Sequence, residues 1–589
     1  MIRNVISKVT KLLLDEWVFI AMFIILNTTV ILKMNAHYFS SSPLQLAAFL
    51  LLPAVENFFI ATAFAALYRL PRMRWLKWLV IAVMSILFVA QLFIYFQFHI
   101  GLQASILTII AETTPAEASG FFSTFFLQPS ALNAIAITLL LLLVYILAEW
   151  QWAKRRERFR GSLFGKLLLL PFLAGAIAFV VCYLPDVART SSADGTVHHN
   201  QTLLSNRDFL STVVTQMRSI SAVKHENDLL NATTEAYSEQ PIVDGDRRLN
   251  IILVIGESYN KYHASLYGYY LSTTPYLEQE LRDGCLVRLD NAVAAYNATS
   301  PSMKSMFSLN AIDRGERWCD CPLFPTVFKQ AGYNVLFWDN QNTALQKRLI
   351  SDFAFTLNAA LYSPAVVDKS YSATNSKIYD DDLELVDDFI SNNATRLNDG
   401  GNLAIIHLVG QHIDYNRRFP NDAKHKVFNV KDIRQKASYL DSRKRQIIAD
   451  YDNATRYNDF VLHRLFDSLR DTYSVVVYLS DHGEEVYDYR DFMMRDRAPE
   501  KTPQMVKYEN DIPMVVWFSP QARHLMGTLP DDVASRPFIN YDLPHLLLGL
   551  ARIRSQLYRP ERDLFSPDFK PHPRVIYDTL DYDTLVSSK

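Results

Sequence analysis

Residues that commonly bind metals or move protons lie directly after several apolar segments of this sequence. Glu257 follows IILVIG, Asp481 and His482 follow VVVYLS, His412 follows IIHLVGQ, and Asn340 follows NVLFWD. One such residue alone is typical of a turn or a helix cap. Its repetition predicts a single site, because two carboxylates and an imidazole form a ligand set suited to Zn²⁺, with Mn²⁺ as an alternative.

A hydroxyl-rich segment, DNAVAAYNATSPSMKSMFS, offers candidate nucleophiles for such a site. It places Thr299, Ser300, Ser302 and Ser305 after a short apolar strand and near a predicted helix start, where Pro301 suits an early helical position. A hydroxyl beside a divalent cation loses its proton more readily, and the N–H groups of a helix N-terminus favour a phosphate. The residues alone leave these hydroxyls open as alternatives.

The apolar segments are predicted strands of one sheet, with helices between them. From Leu249 onward, the strands NIILVIGES, NVLFWDN, LAIIHLVGQH, SVVVYLSDHGE and PMVVWF alternate with helix candidates such as LFPTVFKQAG, LELVDDFISNN and KRQIIADYDNATRYNDFVLHRLFDSLR. This pattern predicts an α/β domain over residues 249–589 with a mostly parallel central sheet. Ligands of such sheets bind beyond the carboxyl ends of the strands, where the candidate residues lie.

The first 184 residues have the pattern of an α-helical transmembrane domain. Apolar segments near spanning length are Trp17–Leu32, Leu46–Leu67, Trp78–Phe96, Ala131–Leu147 and Leu167–Leu184, which predicts five spans. Lys and Arg are concentrated in the N-terminus and in loops 69–77 and 154–166, whereas the alternate loops hold only Lys33. The positive-inside rule therefore predicts a cytoplasmic N-terminus and an exported C-terminal domain.

Residues 185–248 are polar and are predicted to be a linker along the membrane surface, with one weakly amphipathic piece, FLSTVVTQMRSI.

The whole chain has 59 Lys and Arg against 61 Asp and Glu, so its charge does not indicate nucleic-acid binding. Of the four cysteines, Cys182 lies in the fifth predicted span, and Cys319 and Cys321 can form a strained disulfide or stay reduced. Cys285 is typical of a buried apolar residue.

Taken in chain order, several segments resemble the membrane phosphoethanolamine transferases of the alkaline phosphatase/sulfatase superfamily. They are GESYNKYHASLYGYYLSTTP, the hydroxyl-rich segment ending in MFS, GQHIDYNRRFP and SDHGEE, together with the loop ETTPAEASGFF from Glu112 to Phe122. The resemblance implies a multi-pass enzyme of the bacterial inner membrane with a sulfatase-like catalytic domain in the periplasm. Its implied donor is phosphatidylethanolamine, its acceptor is lipid A, lipopolysaccharide core or a related envelope glycan, and some members confer polymyxin resistance.

The resemblance also implies roles for individual residues. Glu257, Asp481 and His482 match the family's zinc ligands. Thr299 matches the threonine that completes this ligand set and receives the phosphoryl group. His412 would bind near the transferred phosphoryl group or protonate a leaving oxygen. Substrate contacts are implied for Glu112, Thr114, Glu117, His263 and Asn340.

Three departures from the family pattern favour a core sugar or another acceptor over lipid A. No cysteines flank Thr299, no histidine follows SDHGEE where many relatives have one, and Asn340-Gln341 replaces a paired asparagine. Glycerol-phosphate transfer from phosphatidylglycerol, as in lipoteichoic-acid-synthase-like proteins, is a rival function that the ETTPAEA loop disfavours. A non-catalytic assembly factor is a second rival, which the retained ligand set and Thr299 disfavour. A simple sulfatase lacks support because neither Cys-x-Pro-x-Arg nor Ser-x-Pro-x-Arg occurs.

Overall fold

The computed structural model describes residues 2–35, 43–98, 125–126, 128–159, 162–183, 209–244, 249–310, 312–341, 357–496 and 500–587. The chain forms two compact units, Met1–His225 and Glu226–Lys589.

The first unit is helical. Its helices are α1 (Ile2–Asp15), α2 (Trp17–Asn35), α3 (Pro43–Tyr68), α4 (Trp75–Phe98), α5 (Pro129–Arg155), α6 (Leu163–Leu167) and α7 (Leu169–Ala178), and a π-helical turn, Phe179–Tyr183, follows α7. Helix α3 packs on α2 and α7, and α4 packs on α5. The next helix, α8 (Phe209–Ala236), begins in this unit and ends in the second.

Four helical stretches of the described residues are long and apolar enough to cross a membrane: Leu50–Tyr68, Trp75–Phe98, Pro129–Phe159 and Leu163–Val181. Many of their apolar side chains face outward, as for Leu139 and Leu140, which are each 61% exposed. An outward apolar surface of this kind suits lipid rather than water. The first predicted span corresponds to the apolar stretch Trp17–Lys33, which is shorter than the other four. The count of five spans therefore stays a prediction.

The second unit is an α/β domain. Its strands are β1 (Ile242–Val243), β2 (Asn250–Gly256), β3 (Leu286–Leu289), β4 (Ala292–Val293), β5 (Asn334–Asp339), β6 (Ala373–Thr374), β7 (Asn402–His407), β8 (Ser474–Ser480), β9 (Glu485–Val486), β10 (Met493–Met494), β11 (Met514–Phe518), β12 (Phe538–Ile539), β13 (Ile553–Arg554), β14 (Val575–Ile576) and β15 (Leu580–Asp581). Its further helices are α9 (Pro275–Arg282), α10 (Thr299–Phe307), α11 (Phe324–Gln330), α12 (Leu357–Leu361), α13 (Pro364–Ser370), α14 (Asp382–Asp399), α15 (Ser442–Leu469), α16 (Pro503–Asn510), α17 (Pro520–Met526), α18 (Leu543–Leu550) and α19 (Tyr582–Ser587).

The central sheet has seven strands in the order β3-β11-β8-β2-β7-β5-β6. It is mixed, because β11 runs antiparallel to both of its neighbours, while β8, β2, β7, β5 and β6 are parallel to one another. The register pairs Gly256 with Ser480, and it pairs His407 with both Ile255 and Asp339. The residues that follow β2, β8, β7 and β5 therefore leave the sheet at one edge.

Helices cover the sheet on both faces. Successive residues of β2 alternate between two hydrophobic clusters: Ile251 and Leu253 face one cluster, and Ile252 and Val254 face the other. This explains why the strands are almost entirely apolar, since neither face meets water. The five predicted strands and the three named helix candidates all form. Because both faces pack in the core, the strand ends are held in place.

Helix α8 lies within the segment predicted to be a linker. Leu230 in its C-terminal half is fully buried in the core of the second unit, and Asn231 accepts a hydrogen bond from Ser363. This half of α8 therefore belongs structurally to the second unit, which begins at Glu226 rather than at residue 249. A path along a membrane surface stays a prediction for the rest of the segment. The structure records Cys285, Cys319 and Cys321 as free thiols.

Candidate metal centre

The ends of β2 and β8 bring two carboxylates and an imidazole together at the edge of the sheet. Glu257, Asp481 and His482 are fully buried, and one donor atom from each lies within 4.8 Å of the others. His482 Nε2 is 3.1 Å from Asp481 Oδ2 and 3.3 Å from Glu257 Oε1. Backbone hydrogen bonds fix two of these residues, since Asp481 N donates to Gly256 O at 3.0 Å and Gln411 N donates to Glu257 O at 3.0 Å.

The imidazole of His482 presents a lone pair to this cluster. Its Nδ1 lies 2.8 Å from Gly483 O, so the ring proton sits on Nδ1 and Nε2 is free to act as a ligand. Burial, and then the positive charge of Arg495, lower the pKa of His482 to about 4. The neutral ring therefore places an acceptor nitrogen against two carboxylates, an arrangement that a cation between them would stabilise.

The carboxylates also fit a cation. Burial and the nearby charge of Glu257 raise the pKa of Asp481 well above its ordinary value. Asp481 Oδ2 is buried and accepts no hydrogen bond from the described residues. A buried, unpaired carboxylate oxygen is costly, and a divalent ion removes this cost by taking the place of the missing donor. The donor set of two carboxylates and one imidazole is suited to zinc.

Thr299 brings a hydroxyl to the same cluster. It is the first residue of α10, and its Oγ1 donates to Glu257 Oε2 at 3.0 Å and lies 3.5 Å from His482 Nε2. Ser302 is turned away, because its Oγ donates to Asp481 O at 2.7 Å. Ser305 donates to Ser302 O at 2.7 Å. These contacts favour Thr299 over the two buried serines as the hydroxyl of the centre.

His412 lies on the loop that follows β7, and this loop packs against Glu257. Gly410, at φ +53°, comes so close that a Cβ atom there would be 2.8 Å from Glu257 N. His412 Nδ1 lies 2.9 Å from Ile413 O, and its side chain is half-buried. Burial raises the pKa of Glu257 and of Glu484, and the nearby charge of His412 lowers both pKa values. The structure therefore places His412 beside the cluster, and its catalytic role stays a prediction.

Two predicted substrate residues have buried protein partners instead. The ring nitrogens of His263 lie 2.6 Å from Asp452 Oδ1 and 3.0 Å from Asp488 Oδ1. Asn340 donates to Asp382 at 3.1 Å and accepts from Tyr379 N. Direct substrate contact by either residue stays a prediction. Glu112, Thr114 and Glu117 lie outside the described residues.

Two residues that contact the centre, Gln341 and Arg495, were not predicted from the sequence. Gln341, next to Asn340, donates from Nε2 to Glu257 Oε2 at 3.3 Å and to Leu408 O at 2.8 Å. Arg495 Nη1 lies 3.9 Å from Glu257 Oε1 and 2.9 Å from Glu484 Oε2. Only the position of Gln341, two residues after the end of β5, was a signal visible in the sequence.

The two glutamates of SDHGEE have different partners. Glu484 is buried and accepts hydrogen bonds from Arg495 and from the Tyr415 hydroxyl. Glu485 is also buried, but it pairs with Arg490. Glu484 is therefore part of the shell around the centre, whereas Glu485 anchors the segment that follows.

A buried metal-ligand cluster and a hydroxyl at the carboxyl edge of such a sheet are typical of a metal-dependent enzyme. The chain belongs to the sulfatase family, whose model matches residues 249–553. Phosphoethanolamine transferase EptC of Escherichia coli O18:K1:H7 is 26% identical over 506 residues, which cover 82% of each chain.

Two solved structures are similar to this chain. The integral membrane protein lipooligosaccharide phosphoethanolamine transferase A (EptA) from Neisseria meningitidis is 17% identical, with a TM-score of 0.57 over 95% of this chain and 98% of that one. The periplasmic domain of Escherichia coli EptC in complex with Zn is 24% identical, with a TM-score of 0.50 over 59% of this chain and 98% of that one. At these identities the structures establish the fold, and together with EptC they confirm the predicted resemblance.

Proposed function

We propose that this chain transfers phosphoethanolamine from phosphatidylethanolamine to lipopolysaccharide core, lipid A or a related envelope glycan. The observation that carries the proposal is the Thr299 hydroxyl at the start of α10, 3.0 Å from Glu257 Oε2 and 3.5 Å from His482 Nε2. The shared activity of the compared relatives, all phosphoethanolamine transferases by name, supports it.

The transfer has two steps. Thr299 Oγ1 releases its proton to solvent and attacks the phosphorus, the bond to the diacylglycerol oxygen breaks, and His412 donates a proton to that oxygen. The product is phosphoethanolamine bound to Thr299. An acceptor hydroxyl then attacks the same phosphorus while His412 takes its proton, the bond between the phosphorus and Thr299 Oγ1 breaks, and Thr299 Oγ1 takes up a proton from solvent. An acceptor phosphate would replace the hydroxyl in the same geometry.

We assign Glu257, Asp481, His482 and Thr299 to the binding of zinc, with Mn²⁺ as an alternative. The bound ion supplies Lewis acidity, which favours the ionised hydroxyl and offsets charge on the non-bridging oxygens. The zinc complex of EptC supports the choice of metal. The buried donors exclude water from the side of the centre formed by the protein.

The substrates are lipids or lipid-attached glycans, which suits a chain with apolar helices of spanning length. We assign Glu112, Thr114 and Glu117 to the donor substrate, with the carboxylates of Glu112 and Glu117 binding its ethanolamine ammonium group. His263 and Asn340 are assigned to the surroundings of the bound substrate. The proposed location is the bacterial inner membrane, with the catalytic unit in the periplasm.

Mass spectrometry of lipopolysaccharide from cells with and without the gene tests this function. Loss of one phosphoethanolamine unit is expected without the gene, and fragmentation places it on core or lipid A. Complementation with wild type should restore the unit, Thr299→Ala should not, and Ser300→Ala should behave as wild type. Restoration of wild-type modification by Thr299→Ala would contradict the nucleophile assignment.

A second experiment separates the two donor lipids. The purified protein is incubated with phosphatidylethanolamine or phosphatidylglycerol, each labelled in its headgroup, and label transfer to lipopolysaccharide is counted. Transfer from phosphatidylethanolamine alone is expected. Transfer from phosphatidylglycerol alone would support glycerol-phosphate transfer, and no transfer from either lipid would support the non-catalytic role.

A further inference from the structure

The segment after SDHGEE turns back toward the metal centre. Strand β9 pairs antiparallel with β10, which sets Met493 opposite Val486 and Met494 opposite Glu485. The next residue, Arg495, therefore returns beside Glu484. This hairpin brings a positive charge beside the buried carboxylates of the centre.

Only some of the hydrogen-bond donors of Arg495 are taken up by neighbouring protein groups. Its side chain is 12% exposed, and Nη1 donates to Ser258 Oγ at 2.7 Å and to Glu484 Oε2 at 2.9 Å. Nε is buried without a hydrogen-bond partner among the described residues. A guanidinium carries five N–H donors in a planar fork, and only the Nη1 end of this one donates to described residues.

The backbone on both sides of Arg495 is held firmly. Met494 has φ +80°, a left-handed conformation that costs about 1–2 kcal/mol for a residue with a Cβ and persists only where the surroundings enforce it. Asp496 N donates to Glu509 Oε1 at 2.7 Å, and Asp496 O accepts from Asn297 Nδ2 at 3.0 Å. Asn297 lies two residues before Thr299, so the same contacts tie Arg495 to the nucleophile segment.

The negative charges at the centre are balanced in part by this guanidinium. Glu257, Asp481 and Glu484 are buried carboxylates, and the phosphoryl group to be transferred is also anionic. A divalent ion offsets two of these carboxylates, which leaves the third to Arg495. Without Arg495 the lining would carry a net negative charge against an anionic substrate.

We propose that Arg495 binds a non-bridging oxygen of the phosphoryl group during transfer, using the donors that its protein contacts leave unused. The guanidinium lies 3.9 Å from Glu257, whose carboxylate also accepts from Thr299, so an oxygen of a phosphorus under attack by Thr299 is within its reach. A planar guanidinium fork suits phosphate oxygens. This inference rests on the proposed function and adds a residue that contacts the substrate.

The alternative role for Arg495 is purely structural, as the partner that neutralises Glu484. The two roles differ in what Arg495→Gln and Arg495→Lys should change. A phosphoryl-binding role affects affinity for phosphate while the metal stays bound. A structural role affects metal content or folding and leaves phosphate affinity per bound metal unchanged.

The test uses the full-length, zinc-loaded protein. Zinc content is measured by mass spectrometry and inorganic phosphate affinity by calorimetry, for wild type, both Arg495 variants and Arg554→Gln, a control whose side chain is 77% exposed. Arg495→Gln should keep its zinc and bind phosphate roughly ten- to a hundredfold more weakly. Arg495→Lys should recover part of the loss, and Arg554→Gln should match wild type.

Wild-type phosphate affinity in a zinc-loaded Arg495→Gln protein would overturn the inference, as would loss of zinc with unchanged affinity per metal. The failure of the proposed function looks different. In that case wild type itself releases no diacylglycerol from phosphatidylethanolamine, whatever residue stands at position 495. If wild type does release it, the rate for Arg495→Gln should fall by a similar factor.

Discussion

Gly410 offers a sensitive way to disturb the metal centre without touching a ligand. It lies three residues after β7 at φ +53°, and Gly410 N donates to Asp382 Oδ2 at 2.8 Å. A Cβ atom built on it would lie 2.8 Å from Glu257 N and 3.0 Å from Glu257 O. The Gly410→Ala variant should therefore push the loop and the Glu257 backbone apart.

The Gly410→Ala substitution should have two effects, a loss of folding stability and a loss of metal affinity. An alanine in the left-handed region costs about 1–2 kcal/mol of folding stability. The contact with Glu257 N must also lengthen by about 0.6 Å to reach the 3.4 Å of an ordinary van der Waals contact. Metal sites tolerate ligand shifts of only about 0.2 Å, and disturbing a residue that orients a ligand typically costs 10- to 100-fold in metal affinity.

Gly284→Ala is a matched control for the stability cost of an alanine in the left-handed region. Gly284 follows α9 at φ +73°, and a Cβ atom there would meet nothing within 4 Å. Both variants should lose stability from the left-handed backbone, and Gly410→Ala should lose more because of its contact with Glu257, measured as Tm of the chelated full-length protein. Only Gly410→Ala should also lose metal affinity, measured by titrating zinc into the chelated protein.

Equal zinc affinity in the Gly410→Ala and Gly284→Ala proteins would refute this reasoning. It would mean either that the loop yields without moving Glu257 or that Glu257 does not hold the metal. Zinc titration of Glu257→Gln separates these outcomes, since a true ligand should lose at least as much affinity when it becomes an amide.

The remaining predictions concern the buried residues around the centre. Burial lowers the pKa of His263, but the carboxylates of Asp452 and Asp488 raise it to about 10. Protonation of His263 therefore stabilises the fold fully below about pH 6.5, and this stabilisation is lost as the pH rises through about 10. His263→Asn should lower Tm at neutral pH and show a flatter decline in Tm between about pH 7 and pH 10; a decline as steep as that of wild type would contradict the assignment. Tyr415→Phe removes a hydrogen bond to the buried Glu484 and should cost about 1–3 kcal/mol in the free energy of unfolding, measured by denaturant titration; an unchanged value would show that the bond contributes nothing. Chelation should lower the Tm of wild type but not of Asp481→Asn, because an ion bound only to the folded state stabilises that state; equal shifts would place the ion elsewhere.

The sequence was sufficient to predict the strands and the residues that follow them. An apolar strand buried on both faces must end where polar residues begin, so the positions of Glu257, Asp481 and His482 follow from the pattern of β2 and β8. Thr299 was one of several candidate hydroxyls. The contacts of Ser302 and Ser305 with backbone carbonyls separate them from Thr299, and sequence spacing does not reveal such contacts.

Other features depend on which way a side chain points. Asn340 and Gln341 are neighbours beyond β5, yet only Gln341 contacts Glu257, because successive residues leave the strand in different directions. Glu484 and Glu485 are likewise neighbours that point in different directions, since Glu484 contacts Arg495 and Glu485 contacts Arg490. The position of Arg495 depends on a hairpin of two-residue strands, too short to give a periodic pattern. Helix α8 was not predicted because its sequence is mostly polar, and Leu230 is the one buried apolar side chain among the part of α8 whose side chains the structure describes, which gives little periodicity.

The central claim is that Thr299 carries the phosphoethanolamine group between donor and acceptor. The most direct measurement is peptide mass spectrometry of the full-length protein incubated with phosphatidylethanolamine and no acceptor. We expect the mass of one phosphoethanolamine group on the peptide that contains Thr299, absent in Thr299→Ala and lost from wild type when lipopolysaccharide is added. Modification of a different residue, or of Thr299 only when phosphatidylglycerol is supplied, would contradict it.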